Sequence, residues 1–235
     1  MGEEAGSVSL FDYLLDPASW QGLTSIWYLL LQHLGYTGAA VGIAAVIAIP
    51  IGILIGHTGH GSFLVIGLSN AARAIPSLGL LVLVVLLLGT GTGPIVGVLA
   101  VLALPPILTA TAAGIRGADR EAVHAARALG MSAGQIVRKV EWPLALPLVI
   151  SGLRSATLQV VATATIAAYS SGDGLGRLLI SGNATRNYSE MFAGALLVAL
   201  LAIVLDVVLG GIGWIAARRS RPRSKTLSAP VAVLT

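Results

Sequence analysis

Five long apolar runs, separated by short polar stretches, set the pattern of this chain. The first runs from Leu34 to Gly56 without a charge, and the second from Ser62 to Leu88, uniformly apolar only from Ser77. Gly89-Thr-Gly-Thr-Gly-Pro94 is a turn by composition, and Pro94 to Ile115 forms the third run. A polar segment, Arg116 to Trp142, follows; Pro143 then opens the fourth run, to Tyr169, Pro being tolerated in a first helical turn. A Gly- and Ser-rich stretch, 170–190, leads to the fifth run, Met191 to Ala217. Crossing a hydrocarbon core takes roughly 20 apolar residues. Lipid offers no partner to open backbone groups, so such runs must be helices. The pattern predicts an all-α membrane protein with about five transmembrane helices. Ahead of them, Trp20 to His33 mixes Trp, Tyr and Leu with polar residues, as an interfacial helix does.

Composition agrees and narrows the class. Hydrophobic residues make up 56% of the chain and charged residues 10%, with a mean hydropathy of +0.90. Soluble domains carry about a quarter charged residues. The absence of cysteine excludes disulfides, thiolate nucleophiles and cysteine-ligated zinc. The net charge of +4 is no nucleic-acid signal, because the positive residues flank the spans. Ten of the fourteen Lys and Arg fall in the 116–142 segment and the tail after Ala217, while residues 1–20 hold none. The positive-inside rule then predicts an N-out, C-in topology with both basic segments cytoplasmic. The expected organisation is an extracytoplasmic segment with the interfacial helix at 1–33, a transmembrane domain at 34–217 and a basic tail at 218–235.

The 116–142 segment reads as two short helices. Asp119 is a good N-cap and Glu121 sits in the first turn, where the helix dipole favours an anion. No breaker interrupts 120–129, Gly130 suits the left-handed position that ends a helix, and Ser132 with Gln135 matches a capping box. Small residues (Ala122, Ala125, Ala126, Ala128) let a partner approach closely. Docking of a cytoplasmic partner fits best; anchoring on anionic membrane lipid through the Arg residues is the alternative. A DNA-binding helix-turn-helix needs a free domain with its own core.

The same segment resembles a known family. His124-Ala125-Ala126, three residues, Gly130, nine residues and Val140-x-Trp142-Pro143 is similar to the Glu-Ala-Ala loop of membrane subunits of bacterial ATP-binding-cassette importers. Further matches are Arg73-Ala-Ile-Pro-Ser-Leu78, Pro143-Leu-Ala-Leu-Pro147, Gly152-Leu-Arg154 and Gly172-Asp-Gly-Leu-Gly176, so that the resemblance covers about 30–215. His124 stands where the family has Glu, with Glu121 one turn earlier on the same face. The resemblance implies a type I importer permease fold in the bacterial inner membrane. It implies half of a translocation pore completed by a second permease subunit, identical or related. Further partners would be a cytoplasmic ATPase and an extracytoplasmic substrate-binding protein. Asp119, Glu121, His124, Ala125, Ala126, Arg127 and Gly130 would form the ATPase-docking loop. ATP and its magnesium would lie on the ATPase, since this chain has no Gly-x-x-x-x-Gly-Lys-Ser/Thr loop; no cofactor, metal or catalytic site is expected here. The substrates implied are osmoprotectants such as glycine betaine, carnitine, choline and proline, with methionine or another amino acid as the rival. Outside transport, a membrane scaffold is the alternative.

Two charges lie inside apolar runs. Arg154 is eleven residues beyond Pro143 and Asp206 twelve before Arg218, so both sit about 16–18 Å from the basic ends of their helices. Equal depth predicts an ion pair joining spans four and five, because an unpaired charge there is costly; a substrate contact is the alternative. Candidate path-lining residues are Asn70, Arg73, Pro76, Thr163, Thr165 and Tyr169, although Thr in a span serves helix packing equally well. His57 and His60 occupy a short turn with no carboxylate beside them in sequence and read as solvated. The 170–190 stretch reads as an outward loop where a binding protein docks.

Overall fold

The computed structural model describes residues 10–22, 24–61 and 74–220, with 63 and 67, and the regular structure among them is helical. In order these are α1 (Asp12–Leu15), a 3-10 turn (Pro17–Trp20), α2 (Ile26–Thr58), α3 (Ser77–Leu88) and α4 (Thr92–Arg116). Next come α5 (Arg120–Ala128), α6 (Ala133–Ile136), α7 (Trp142–Ser171), α8 (Gly176–Thr185) and α9 (Tyr188–Ser220). By length and composition α2, α4, α9 and the run Ala133–Ser170 are each able to cross a membrane, while α3 is apolar but shorter. Most of 62–73, with Asn70 and Arg73, lies outside the described residues.

The expected break between an interfacial helix and the first span at 33–34 does not occur. α2 runs without interruption from its N-cap Ser25, whose hydroxyl accepts from the Tyr28 amide. The reason is a buried face that continues through the supposed boundary: Ile26, Leu29, His33, Tyr36, Ala40, Ala44, Ala48, Gly52 and Gly56 are all buried. Its small residues admit α4, the central helix, which packs between α2 and α7. A Cβ on Gly52 would sit 2.7 Å from Thr111 Cβ, and one on Gly56 2.7 Å from Ile115 Cβ. On the other flank of α4, a Cβ on Gly152 would lie 2.4 Å from Ala110 Cβ. Lipid removes the hydrophobic drive between helices, so close packing of small residues holds them instead. Large apolar side chains point outward, as in α9 with Ile203, Val207 and Trp214.

Two further boundaries depart from the sequence reading. The second short helix of the basic segment does not stop before Trp142: α6 passes through a π turn, Val137–Glu141, directly into α7. Pro143 has no amide hydrogen to donate, and the widened turn directly before it absorbs the gap in the ladder. The 170–190 stretch, read as an outward loop, is likewise largely helical. α7 ends at Gly172 (φ +68°), and α8 folds back onto α7 and α9. Leu175 and Leu178 join a core with Ile26, Leu29 and Leu201.

Candidate functional site

The basic end of the molecule is built by local capping. The Asp119 carboxylate accepts from the amides of Glu121 (2.8 Å) and Ala122 (3.4 Å), starting α5. Gly130, at φ +75°, turns the chain, and the Ser132–Gln135 capping box starts α6. Across α5 the expected docking residues divide. Of them Ala126 is buried, whereas Asp119, Glu121, His124, Ala125, Arg127 and Gly130 are exposed, as is the C-cap Leu129, at 82%. Arg120, His124 and Arg127, spaced by four and three residues, share one face. They line a polar cavity of about 250 Å³ with Arg116, His57 and Glu141.

His57 is not a solvated histidine. Its Nδ1 lies 2.7 Å from Glu141 Oε2, joining the end of α2 to the π turn before α7. The partners are 84 residues apart, and the Glu141 side chain is only 7% exposed. Sequence reasoning missed the pair; its one trace was Glu141 standing as the only acid between Glu121 and Asp173, in an otherwise basic stretch. His60 remains exposed, its ring nitrogen beside the Thr58 carbonyl.

Within the apolar layer, Arg154 and Asp206 meet: Nε and Nη2 of the guanidinium donate one to each carboxylate oxygen, in bidentate geometry. The pair ties α7 to α9 beside Gly210, where a Cβ would come within 3.6 Å of Arg154 Nη1.

A second cavity, about 430 Å³, opens between α4 and α7, with Thr109, Ser151, Ser155 and Gln159 as its polar lining. Its construction follows from Pro105-Pro106. Pro106 has no N–H for the carbonyl four residues back, that of Leu102. Gln159 Nε2 donates to this freed oxygen at 3.3 Å, replacing the missing bond from across the helix pair. Gln159→Leu is expected to leave that carbonyl unsatisfied and to destabilise the protein by about 1–3 kcal/mol. Thermal unfolding of the detergent-solubilised variant beside the parent measures this.

The path-lining candidates do not converge. Thr163 and Thr165 are two residues apart, so they point about 200° apart on a helix. Their hydroxyls donate back to the carbonyls of Gln159 (2.8 Å) and Val161 (2.9 Å). Tyr169 is exposed in the last turn of α7, and Pro76 caps the start of α3. None of these lines the α4–α7 cavity.

At the opposite end, α2 holds the start of the 172–176 glycine segment. Tyr36 Oη donates to Asp173 Oδ2 (2.9 Å), Gln32 Nε2 donates to Asp173 Oδ1 (3.4 Å), and the Gly174 amide donates to Gln32 Oε1 (3.1 Å). His33, fully buried, faces the Val161 carbonyl at 3.2 Å through Nε2, which must therefore carry the proton. Gly174 (φ +68°) lies against the other ring nitrogen, where a Cβ would come within 3.1 Å. This corner is backbone packed on a span.

Comparison with known proteins agrees with this arrangement. Residues 48–222 match the family model described as binding-protein-dependent transport system inner membrane component. The carnitine transport permease protein OpuCD of Listeria monocytogenes is 35% identical over 182 residues, 77% of this chain and 82% of that protein. The osmoprotectant import permease protein OsmW of Salmonella typhimurium is 36% identical over 202 residues, 84% of this chain and 92% of that protein. Among solved structures, a chain of the MetNI methionine ABC transporter in an inward-facing conformation superposes with a TM-score of 0.71 at 23% identity. That superposition covers 86% of this chain and 98% of the other, and carries the fold. The chain is a multi-pass membrane protein and belongs to the family of inner membrane components of binding-protein-dependent transport systems.

Proposed function

We propose that this chain is the permease subunit of an ATP-driven bacterial importer for osmoprotectants of the betaine, carnitine and choline class. It would lie in the inner membrane with its basic end cytoplasmic. The observation that carries the substrate class is the identity of 35–36% to carnitine and osmoprotectant permeases over more than three quarters of the chain. The likeness to the methionine system, at 23% identity, speaks for fold only. Two copies, or this chain and a relative, would enclose the pore. A substrate-binding protein would deliver from outside, and a cytoplasmic ATPase, holding ATP and magnesium, would grip the exposed face of α5 around Glu121, Ala125 and Leu129. The α4–α7 cavity suits transit of such solutes. Its lining bears no charge, so hydroxyls and one amide offer weak contacts to a carboxylate and nothing that traps a quaternary ammonium.

The test is ATP-dependent uptake by the reconstituted complex, offered labelled carnitine, choline, glycine betaine, proline and methionine in turn. Uptake of the quaternary amines is the expected result, and uptake of methionine alone would overturn the substrate class. Gly130→Val tests coupling in the same vesicles. A β-branched residue at φ +75° is strained by about 1–3 kcal/mol, and nothing else crowds this position. Insertion should therefore persist while ATP-driven uptake falls; unchanged uptake would argue against docking through this hinge.

A further inference from the structure

We propose that the cavity between α5 and the ends of α2 and α4 binds a phosphate oxyanion, that of an anionic phospholipid headgroup. The argument starts from charge. Three arginines, Arg116, Arg120 and Arg127, and two histidines, His57 and His124, line a polar space of about 250 Å³. The one carboxylate among the described lining residues is Glu141, and it is engaged by His57 at 2.7 Å. Arg120 and Arg127, two turns apart on one face of α5 and exposed, line the same space, so its described cations outnumber its carboxylate. Like charges gathered round a small cavity repel one another, and a bound anion with several acceptor oxygens relieves this while taking charge-assisted hydrogen bonds.

Position selects the source of the anion. Arg116 closes the last turn of the apolar helix α4, and His57 closes the last turn of α2. The cavity thus sits where two apolar helices end; with the basic end cytoplasmic, as in the proposed function on which this step rests, such a place is within reach of anionic headgroups, which basic pockets between membrane helices suit. Gly56 and Ile115, both in the lining, pack closely there: a Cβ on Gly56 would come within 2.7 Å of Ile115 Cβ. The consequence is a lipid wedged behind the docking helix, setting how α5 stands off the membrane.

The full-length chain is purified in detergent, and its binding of phosphatidylglycerol, phosphatidylcholine and inorganic phosphate is measured by native mass spectrometry. The variants are Arg120→Gln/Arg127→Gln, and as a control Arg138→Gln, an exposed cation outside the cavity. Each arginine near anionic lipid contributes on the order of 1 kcal/mol, so the double variant should bind phosphatidylglycerol about thirtyfold more weakly. Arg138→Gln should bind as the parent does, and phosphatidylcholine should not compete. Displacement of the lipid by inorganic phosphate would support the oxyanion site and name free phosphate as a second occupant. Equal loss in Arg138→Gln, or full retention in the double variant, would overturn the proposal. None of these readouts involves transport, so they stand apart from the proposed substrate.

Discussion

Gly176→Ala is expected to lower both the recovery and the melting temperature of the folded protein sharply, although it adds a single methyl group. The Cβ would lie 2.1 Å from the Thr165 carbonyl oxygen and 2.8 Å from Ala168 Cβ. Neither neighbour is the far end of a flexible side chain, so the clash can be relieved only by moving α8 off α7. Overpacking of this kind costs typically 1–3 kcal/mol, occasionally more. The displacement would also unseat Leu175 and Leu178, both buried against Ile26 and Leu29 of α2 and Leu201 of α9. The long helices α2 and α9 lose the core they share with α8 at that end. The matched control is Gly97→Ala, in the interior of α4 with nothing within 4 Å of the new methyl. It should be neutral or stabilising by up to about 1 kcal/mol from helix propensity. Gel filtration of the extracted protein, followed by thermal unfolding, compares the two. Equal recovery and equal melting of the two variants would show that α8 is not seated on Thr165 as described.

Gly176 also shows where the amino-acid sequence speaks and where it does not. Features made by near neighbours are legible. The Asp119 cap, the Gly130 turn and the Ser132–Gln135 box each depend on residues within three positions of one another. The meeting of Arg154 with Asp206 was legible too, since a fixed rise per residue converts position into depth. Where glycine content alone carried the reading, over 170–190, it failed. A stretch rich in glycine reads as a loop by the habits of soluble proteins, yet here Gly176 and Gly182 mark close contacts of a helix. The period of Leu175 and Leu178 against that background was the available signal. Contacts across the sequence left fainter traces. Pro105-Pro106 announces a freed carbonyl but does not say that Gln159 will satisfy it. Glu141 advertises itself as a lone acid, but only the fold brings it to His57. Polar residues chosen one at a time from α7 could not define a path, because Thr163 and Thr165 face different ways; the cavity takes its polar lining from two helices at once.

Asp206→Leu is expected to break the ion pair between α7 and α9 and leave Arg154 unpaired, and its effect should exceed that of removing both charges. In the parent, each carboxylate oxygen accepts from a different guanidinium nitrogen, so two donors and two acceptors are satisfied together. The pair lies on the flank of α7 and α9 with side chains 45% and 28% exposed, which in a bilayer means exposed to lipid or to another subunit. Removing Asp206 alone leaves a guanidinium facing hydrocarbon, and Arg154→Leu alone leaves a carboxylate there; either charge must then find water or pull the helix out of register. Arg154→Leu/Asp206→Leu removes the liability with the bond, and replacing such a pair by apolar residues is often neutral. The order of folded yield should therefore be parent, double variant close behind, then both single variants well below. Uptake by the double variant separates the two roles these charges were assigned. A folded double variant that still transports assigns the pair to holding α7 against α9. One that folds yet fails to transport assigns it to the substrate's route. Single variants as abundant and as stable as the parent would sink both, because a lone charge at that depth could not then be facing lipid.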